Sequence, residues 1–374
     1  MSVTLNQGLV TRSSLNRKVD SVLEAKEHLF VKKGDLVYNM MRMWQGASGR
    51  AHADGMVSPA YVVLAPKDGI DSGFAAYWFK TPRMVHRFWA YSHGITLDRL
   101  RLYFNDFAQI PVMLPSLKHQ KRIVAVLETW DRYLEKLAKK IEIKKRIRKQ
   151  IKRQLVTGKK RLKSFRERWK QMRLGDVGPI VSGGTPSKKI MEYWHGNIPW
   201  ISSSDLTEDD IKNLKVTRYI NKDALNHSAT NLIPRHSVVL VSRVGVGKLI
   251  VNEVDLCTSQ DFQSLIIKDT KKFNCHFLAY LLSVKTNEFL VKNQGTSIKG
   301  FLKNDLRNLS ILAPSFEEQK AIANILVTAD KEIEGLEEKR KILDEQKKFL
   351  LNALISGDIR TPEDMISCPR KSDN

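Results

Sequence analysis

The chain repeats itself. Residues 105 to 161 lie on residues 304 to 360 at a constant offset of 199 without a gap. Under that offset Asn105-Asp106-Phe107 meets Asn304-Asp305-Leu306, Pro115-Ser116 meets Pro314-Ser315, Gln120-Lys121 meets Gln319-Lys320, and Gly158 meets Gly357. A period near 200 residues is far too long for a solenoid unit, so each copy is expected to be a globular domain with its own connecting element. The 374 residues, 42% of them apolar, suffice for two ordinary cores.

The best-matched part of the repeat is a long helix. After Pro115, apolar residues fall at Ile123, Leu127, Trp130, Leu134, Leu137 and Ile141, in alternating steps of four and three. The second copy continues the pattern at Ile322, Leu326, Ala329, Ile333, Leu336, Leu343, Leu350 and Leu354. That is a heptad seam, a single narrow stripe that calls for another helix as its partner. Pro-Ser marks each start, with Ser315 and Glu318 spaced as a capping box, and Gly158 and Gly357 suit the left-handed position past each end. Each helix is then roughly 60 Å long at about 1.5 Å per residue. Residues 116–161 carry 17 Lys/Arg against 4 Asp/Glu, whereas residues 315–360 carry 8 against 10. Pairing the two helices antiparallel therefore lowers repulsion, with Glu334, Glu337 and Glu338 expected near Lys144, Lys145 and Arg146.

The overall charge of +23 points to a polyanionic partner, nucleic acid first. Cys257, Cys275 and Cys368 show no metal-ligand or CxxC spacing and are expected to be reduced thiols. With no long apolar run and no basic-then-apolar leader, the chain is expected to be cytoplasmic and without a membrane partner.

The globular part of the second copy holds Arg173-Leu174-Gly175-Asp176, Ser182-Gly183-Gly184-Thr185-Pro186-Ser187 and Gly196-Asn197-Ile198-Pro199-Trp200-Ile201. Strand-like runs follow at 238–243, 249–251 and 262–269, then a helix over 277–290, which together indicate a compact α+β domain. The first copy matches the later part: Arg42 stands opposite Arg243, Ser58-Pro59-Ala60-Tyr61 opposite Ser259-Gln260-Asp261-Phe262, and residues 74–78 opposite the FLAYL run. At the offset of 201 that holds here Met1 pairs with Ser202, so the 28 residues Leu174 to Ile201 have no counterpart and the first domain is expected to lack its opening segment.

These strings resemble the DNA sequence-specificity subunit of type I restriction-modification systems. RLGDVGPIVSGGTPS, GNIPWISSSDL, SRVGVGK and LAPSFEEQKAIANIL, the last followed by a long helix ending in ISGDI, look like its target-recognition domain and spacer helix. The first copy's LPSLKHQKRIVAVL is a looser version, with Lys118-His119 where the second has Glu317-Glu318. The resemblance implies an α+β fold of two target-recognition domains joined by two long helices in an antiparallel coiled coil. The expected divisions are 1–115, a spacer helix over 116–161, 162–314, a second spacer helix over 315–360, and a polar tail over 361–374. It also implies that each domain reads half of a bipartite double-stranded DNA target while the helices set the spacing. Two methyltransferase subunits would dock on this chain and restriction or motor subunits could join them, with S-adenosylmethionine, ATP and magnesium on those partners.

Catalytic look-alikes fail on inspection. Gly245-Val246-Gly247-Lys248 ends like a P-loop, but Leu249 replaces the magnesium-binding hydroxyl and Ser242 the first glycine. Asn197-Ile198-Pro199-Trp200 has Ile198 in place of the first proline of an amino-methyltransferase motif and no glycine-rich cofactor loop accompanies it, and Asp344-Glu345-Gln346-Lys347 lies on the spacer helix without a supporting aspartate. No catalytic, cofactor or metal residues are expected. Base reading needs donors and acceptors that reach base edges, with other cations on phosphate. The candidates are Gly184, Thr185, Ser203, Arg243, Lys248, Ser259, Gln260, Thr296 and Lys299 in the second copy, and Arg42, Gln45, Arg50, Ser58 and Arg99 in the first. Trp194 and Trp200 fit a core better than a base stack. The competing readings are a basic coiled-coil scaffold without sequence preference and, more remotely, a self-sufficient nuclease.

Overall fold

The computed structural model describes residues 1–15, 27–208, 210–292, 300 and 302–363. The chain is α+β and separates into two compact units, Met1–Lys139 with Glu337–Asn374, and Lys140–Leu336. Each unit thus takes part of both long helices, so the division falls within the helices rather than at their ends.

In the first unit a hairpin of β1 (Ser2–Thr4) and β2 (Gly8–Val10) precedes two small sheets. One pairs β3 (Leu29–Val31) with β6 (Gly55–Val57); the other has the order β5 (Ser48–Arg50), β4 (Leu36–Asn39), β7 (Tyr61–Leu64). Helices α1 (Ser72–Trp78), α2 (Pro82–Ala90) and α3 (Phe104–Ala108) lead to α4 (Leu117–Val156). Aromatic residues fill the core, with Tyr38, Phe74, Phe79 and Phe88 against Ile123 and Leu127 of α4 and Leu354 of the last helix.

The second unit begins with β8 (Lys170–Arg173), the single turn α5 (Leu174–Val177) and β9 (Ile180–Ser182). After them come β10 (Ile198–Ile201), β11 (Arg218–Ile220), α6 (Lys222–Asn226), β12 (Leu232–Ile233), β13 (Val238–Val241), β14 (Leu249–Val251), β15 (Leu256–Thr258) and β16 (Phe262–Leu265). Helices α7 (Cys275–Lys292) and α8 (Lys303–Arg307), strand β17 (Ser310–Ala313) and helix α9 (Phe316–Ser356) complete it. Two four-stranded sheets result, ordered β14-β13-β16-β9 and β11-β10-β15-β12, beside a β17-β8 pair. All four residues of β13 are buried, which is why its sequence Val-Val-Leu-Val shows no alternation.

The expected helices are present at 40 and 41 residues. Gly158 and Gly357 take φ of 72° and 86°, the left-handed conformation that stops a helix and that glycine adopts most readily. The seam residues Ile123, Leu127, Leu137, Ile141, Ile322, Leu326, Ile333 and Leu354 are buried. Trp130, Leu134, Leu336, Leu343 and Leu350 are half-buried. Within each unit the two helices run antiparallel. In the first, Arg122 donates to the Pro362 carbonyl while Asp131, further along α4, pairs with the earlier Lys347. In the second, Lys144 pairs with Glu332, Arg148 with Asp330, and Leu155 and Val156 join the cluster of Ile322 and Ala323. Two carboxylates placed against the basic stretch are thus Glu332 and Asp330. Glu318 departs from its expected capping role: its buried carboxylate accepts from Arg161 at 2.6 and 3.1 Å and from the Trp169 indole at 3.1 Å. A charge-assisted pair with an arginine is the stronger partner, and it ties the chain leaving α4 to the start of α9.

The joint between each globular part and its helix is built twice from the same parts. Gln120 donates to the Gly69 and Pro115 carbonyls and accepts from the Asp71 amide; Gln319 donates to the Lys272 and Pro314 carbonyls and accepts from the Asn274 amide. Asp71 caps α1 at Phe74, and Asn274 caps α7 at Phe277. One turn further, the Tyr77 hydroxyl donates to Asp131, which also takes the Lys347 ammonium; the Tyr280 hydroxyl donates to Asp330, which also takes the Arg148 guanidinium. Asp131 and Asp330, and Arg148 and Lys347, are each related by the same offset of 199.

Candidate nucleic-acid interface

In the second unit the ends of six strands converge. Gly183 donates to the Phe262 carbonyl and Gly184 to Thr258, which joins the turn after β9 to the β15–β16 corner. Ser259 donates to Ile201, adding the end of β10; Ser242 donates to Asp261 and Val241 to Lys248, adding the β13–β14 turn. Seven of the nine candidates in this copy therefore lie at one end of the two sheets: Gly184, Thr185, Ser203, Arg243, Lys248, Ser259 and Gln260. Thr296 and Lys299 lie outside the described residues. Gly300 packs on Ser242, where a Cβ would come within 1.8 Å of the carbonyl oxygen.

Their roles differ. Arg243 and Gln260 are exposed, and the Gln260 side chain takes the Thr185 hydroxyl. Lys248 is half-buried and its ammonium donates to the Leu206 carbonyl at 3.0 Å. Gly245 and Gly247, at φ of 83° and 97°, make the run before it a tight turn between strands, as expected of the failed P-loop. Gly184 and Ser259 are buried. The Gly184 amide is used by Thr258 and its carbonyl by the Trp200 indole at 3.0 Å, so this glycine holds the loop together. Trp200 is core, as expected, with Trp194 edge-on to it at 5.1 Å and the Arg218 guanidinium 4.7 Å above its ring.

Three groups at this end went unnoticed in the sequence. Arg218, on β11, reaches Ser202 and Asp205 beside Ser203. Lys188 and Lys189 are exposed and continue the Thr185 loop. Asn231 donates to the Ser182 carbonyl at 3.0 Å. Arg218 and Asn231 stand in short segments with no motif around them; the lysine pair followed GTPS directly and could have been found.

In the first unit, Arg42 and Gln45 are exposed on a 3-10 turn just after β4, and Ser58 closes the turn into β7, where Tyr61 donates to its carbonyl. Asn39 at the end of β4 pairs with Tyr61, and Leu102 donates to the Met40 carbonyl, which brings up the exposed Arg99 turn. Arg50 is a correction. It pairs with Leu36 at the opposite end of β4, its Nε is buried, and its guanidinium lies beside Gly73. It stands against α1, away from the other four candidates.

Among the described residues, no group of three or more His, Cys, Asp or Glu side chains is placed to hold a metal ion. Cys257 is buried in apolar surroundings that push its thiol up to about 11, the signature of a structural rather than a reactive cysteine. Cys275 is a free thiol and Cys368 lies outside the described residues. Among the described residues, no helix is long and apolar enough to cross a membrane.

Residues 10–147 and 166–344 match the family described as the type I restriction modification DNA specificity domain. The chain belongs to that family. The type I specificity domain is thus present twice, once in each half of the sequence, in agreement with the internal repeat. Over 179 residues the chain is 34% identical to the type I restriction enzyme MjaIX specificity subunit of Methanocaldococcus jannaschii, covering 47% of this chain and 41% of that protein. Over 280 residues it is 27% identical to the EcoR124I/EcoR124II specificity subunit of Escherichia coli, covering 69% of this chain and 66% of that protein. Both matches span less than two thirds of the relative's length. In fold, the chain is similar to the type I restriction-modification system S subunit from M. genitalium, with a TM-score of 0.55 at 15% identity over 87% of this chain and 83% of that one.

Proposed function

We propose that each unit reads one half of a bipartite double-stranded DNA target, and that the two long helices set the distance between the halves and dock two methyltransferase subunits. The observation that carries this reading is the gathering of Thr185, Ser203, Arg243, Lys248 and Gln260 at one end of the second unit's sheets, with Arg42, Gln45, Ser58 and Arg99 gathered likewise in the first. Arginine and glutamine suit bidentate contacts to base edges in the major groove, and serine, threonine and lysine suit phosphate. Arg218, Lys188 and Lys189 extend the second set. Gly184 and Ser259 shape the loops, and Arg50 belongs to the fold.

In this reading the chain directs chemistry and performs none. S-adenosylmethionine, ATP and magnesium are bound by the methyltransferase and by restriction or motor subunits, in the cytoplasm. A mobility-shift assay with purified methyltransferase partners should give tight, strongly salt-dependent binding to a cognate bipartite duplex and much weaker binding to a scrambled one. Equal binding to both would leave only a basic scaffold without sequence preference. Exchanging residues 174–304 for those of another family member should change the methylated sequence at one half-site. Arg243→Ala should weaken the preference at a single position by about 1–3 kcal/mol, as read from methylation of single-mismatch duplexes.

A further inference from the structure

The two units attach the same loop to the same turn with different lysines. At the offset of 201, Leu5 stands where the second unit has Leu206, and Gly46-Ala47 where it has Gly247-Lys248. The ladder supports that register, since Asn39 donates to the Ala47 carbonyl as Val241 does to that of Lys248. In the second unit the Lys248 ammonium donates to the Leu206 carbonyl at 3.0 Å. The first unit has alanine at that position, yet the Leu5 carbonyl also receives an ammonium, from Lys80 at 3.2 Å. The same ammonium donates to the Gly46 carbonyl at 2.6 Å, and the second unit has Ser283 in register with Lys80. Each unit thus carries a lysine at one of two positions, and either position serves the same carbonyl.

That loop is the tip of the β1–β2 hairpin, residues 5–7, and Lys80 ties it to the 3-10 turn that carries Arg42 and Gln45. A second attachment lies beside it. Gly8, at φ of 69°, meets Gly49 of β5 so closely that a Cβ on Gly49 would come within 2.1 Å of the Leu9 amide nitrogen. Glycine at both positions lets the hairpin backbone lie directly on the sheet. The turn closes through Thr4, whose hydroxyl accepts from the Gln7 amide at 3.0 Å and donates to the Gly8 carbonyl at 3.1 Å. Asn6 and Gln7 are exposed. Thr207 and Glu208 at the corresponding tip are exposed too, in a unit where Leu174–Ile201 is present. The mount is repeated while the tip differs, Asn6-Gln7 in one unit and Thr207-Glu208 in the other.

We propose that Asn6 and Gln7 are specificity-determining residues that read base edges at an A·T pair of the first half-site, and that Lys80 is the positioning residue that sets their tip beside Arg42 and Gln45. A side-chain amide presents a donor and an acceptor side by side, which matches the N6 and N7 edge of adenine in the major groove. Such a contact needs a preset geometry, because ordering a loose loop on binding costs affinity. The ammonium, shared between two backbone carbonyls, supplies it by fixing the tip against the turn. Divergent tips on a repeated mount are what two readers of different half-sites require. The inference rests on the reading of DNA by the first unit, and it adds residues from outside the four candidates gathered there.

The test measures binding of the chain, in complex with its methyltransferase partners, to duplexes that carry each single base-pair change across both half-sites. Neither Asn6 nor Gln7 takes a positive φ, so alanine fits the turn and the Asn6→Ala and Gln7→Ala chains should melt like the parent. At least one of them should lower the preference for the cognate pair at one A·T position of the first half-site by about fivefold or more, and leave the second half-site unchanged. Lys80→Met should lower the preference at the same position. Combined with both tip substitutions it should add less than about twofold, since a residue that acts through the tip has nothing further to lose once the tip is cut. Unchanged preference at every position in both tip variants, or a loss spread evenly over the first half-site, would overturn the proposal. So would a Lys80→Met loss that adds in full to the tip losses. Should Arg42→Ala lower the preference where the tip variants do not, DNA reading by the first unit stands without the hairpin. A parent complex that discriminates at no position of the first half-site removes both.

Discussion

The two units of the molecule agree where globular part meets helix and disagree at the margins of their sheets. Gln120 and Gln319 make the same three hydrogen bonds, and Asp131 and Asp330 each collect a tyrosine hydroxyl and a cation. Strand β17 pairs with β8, while its counterpart, residues 111–114, has no partner strand among the described residues. Ile311 and Ala313 are 1% and 5% exposed; Val112 and Leu114 in the same register are 42% and 41% exposed. The difference teaches where repetition is enforced. A buried polar joint has one satisfactory geometry, since each unmade hydrogen bond leaves a desolvated group unpaired, whereas a sheet edge tolerates more than one state.

The aspartates offer the sharpest way to break that likeness. The Arg148–Asp330 pair is two-pronged, at 2.6 and 3.0 Å, and its side chains are 9% and 14% exposed. In the first unit Lys347 makes the single-point contact, and Asp131 is 47% exposed. Asp330→Asn is therefore expected to destabilise the second unit by about 3–5 kcal/mol, because the carboxylate that grips a buried guanidinium at two points loses its charge. Asp131→Asn should cost the first unit no more than about 1 kcal/mol. Calorimetry of the two variants checks the asymmetry; equal losses would mean that burial at this level of the helices does not govern the pair.

The glutamines test the likeness itself. Gln120→Leu and Gln319→Leu keep the volume and abandon one amide and two carbonyls each, at about 2–3 kcal/mol. Both glutamines are buried to the same extent, so the two losses, measured by urea denaturation, should agree within about 0.5 kcal/mol. A large disparity would show that one joint relaxes and that the repeat is one of sequence more than of energetics.

The long helices were legible because a seven-residue repeat, flanking Pro-Ser and a closing glycine are local signals that tertiary context rarely overrides. The β-rich runs at 238–241 and 262–265 were legible for the same reason, though the sheet order was not, since β9 reaches β16 across more than 80 residues. At the candidate interface the turns were legible and the placement of individual side chains was not. Arg50 and Arg42 look alike as polar residues beside strands, and only the ladder shows that they stand at opposite ends of β4. Gly184 was a candidate because it stands in a turn, yet a Cβ there would come within 2.3 Å of the Ala229 backbone. Gln120 served only to mark the register of the repeat. Two of its three hydrogen bonds join segments 49 and 51 residues apart, beyond any local pattern.

The smallest expected effect separates the units by pH. Lys80, just after α1, donates to the Gly46 carbonyl at 2.6 Å and the Leu5 carbonyl at 3.2 Å, and burial brings its ammonium down to about 8. In register with it, the second unit has Ser283, whose hydroxyl bonds to the Tyr280 carbonyl and does not titrate in this range. Above pH 8 the folded Lys80 sheds its proton while the unfolded one keeps it, so the unfolded state binds more protons and the first unit gains stability as pH rises. Near pH 10 the trend reverses. Tyr38 and Tyr77 are held protonated in the fold, by burial first and then by neighbouring carboxylates, while unfolded tyrosines ionise. Between about pH 8 and about pH 9.5, urea denaturation should therefore show the first unit stabilised by less than about 1 kcal/mol, allowing for the partial exposure of Lys80. Lys80→Met should flatten that slope in the first unit and leave the second unit's profile unchanged. A parallel rise in both units would assign the effect to the general charge of the chain instead of this one buried ammonium.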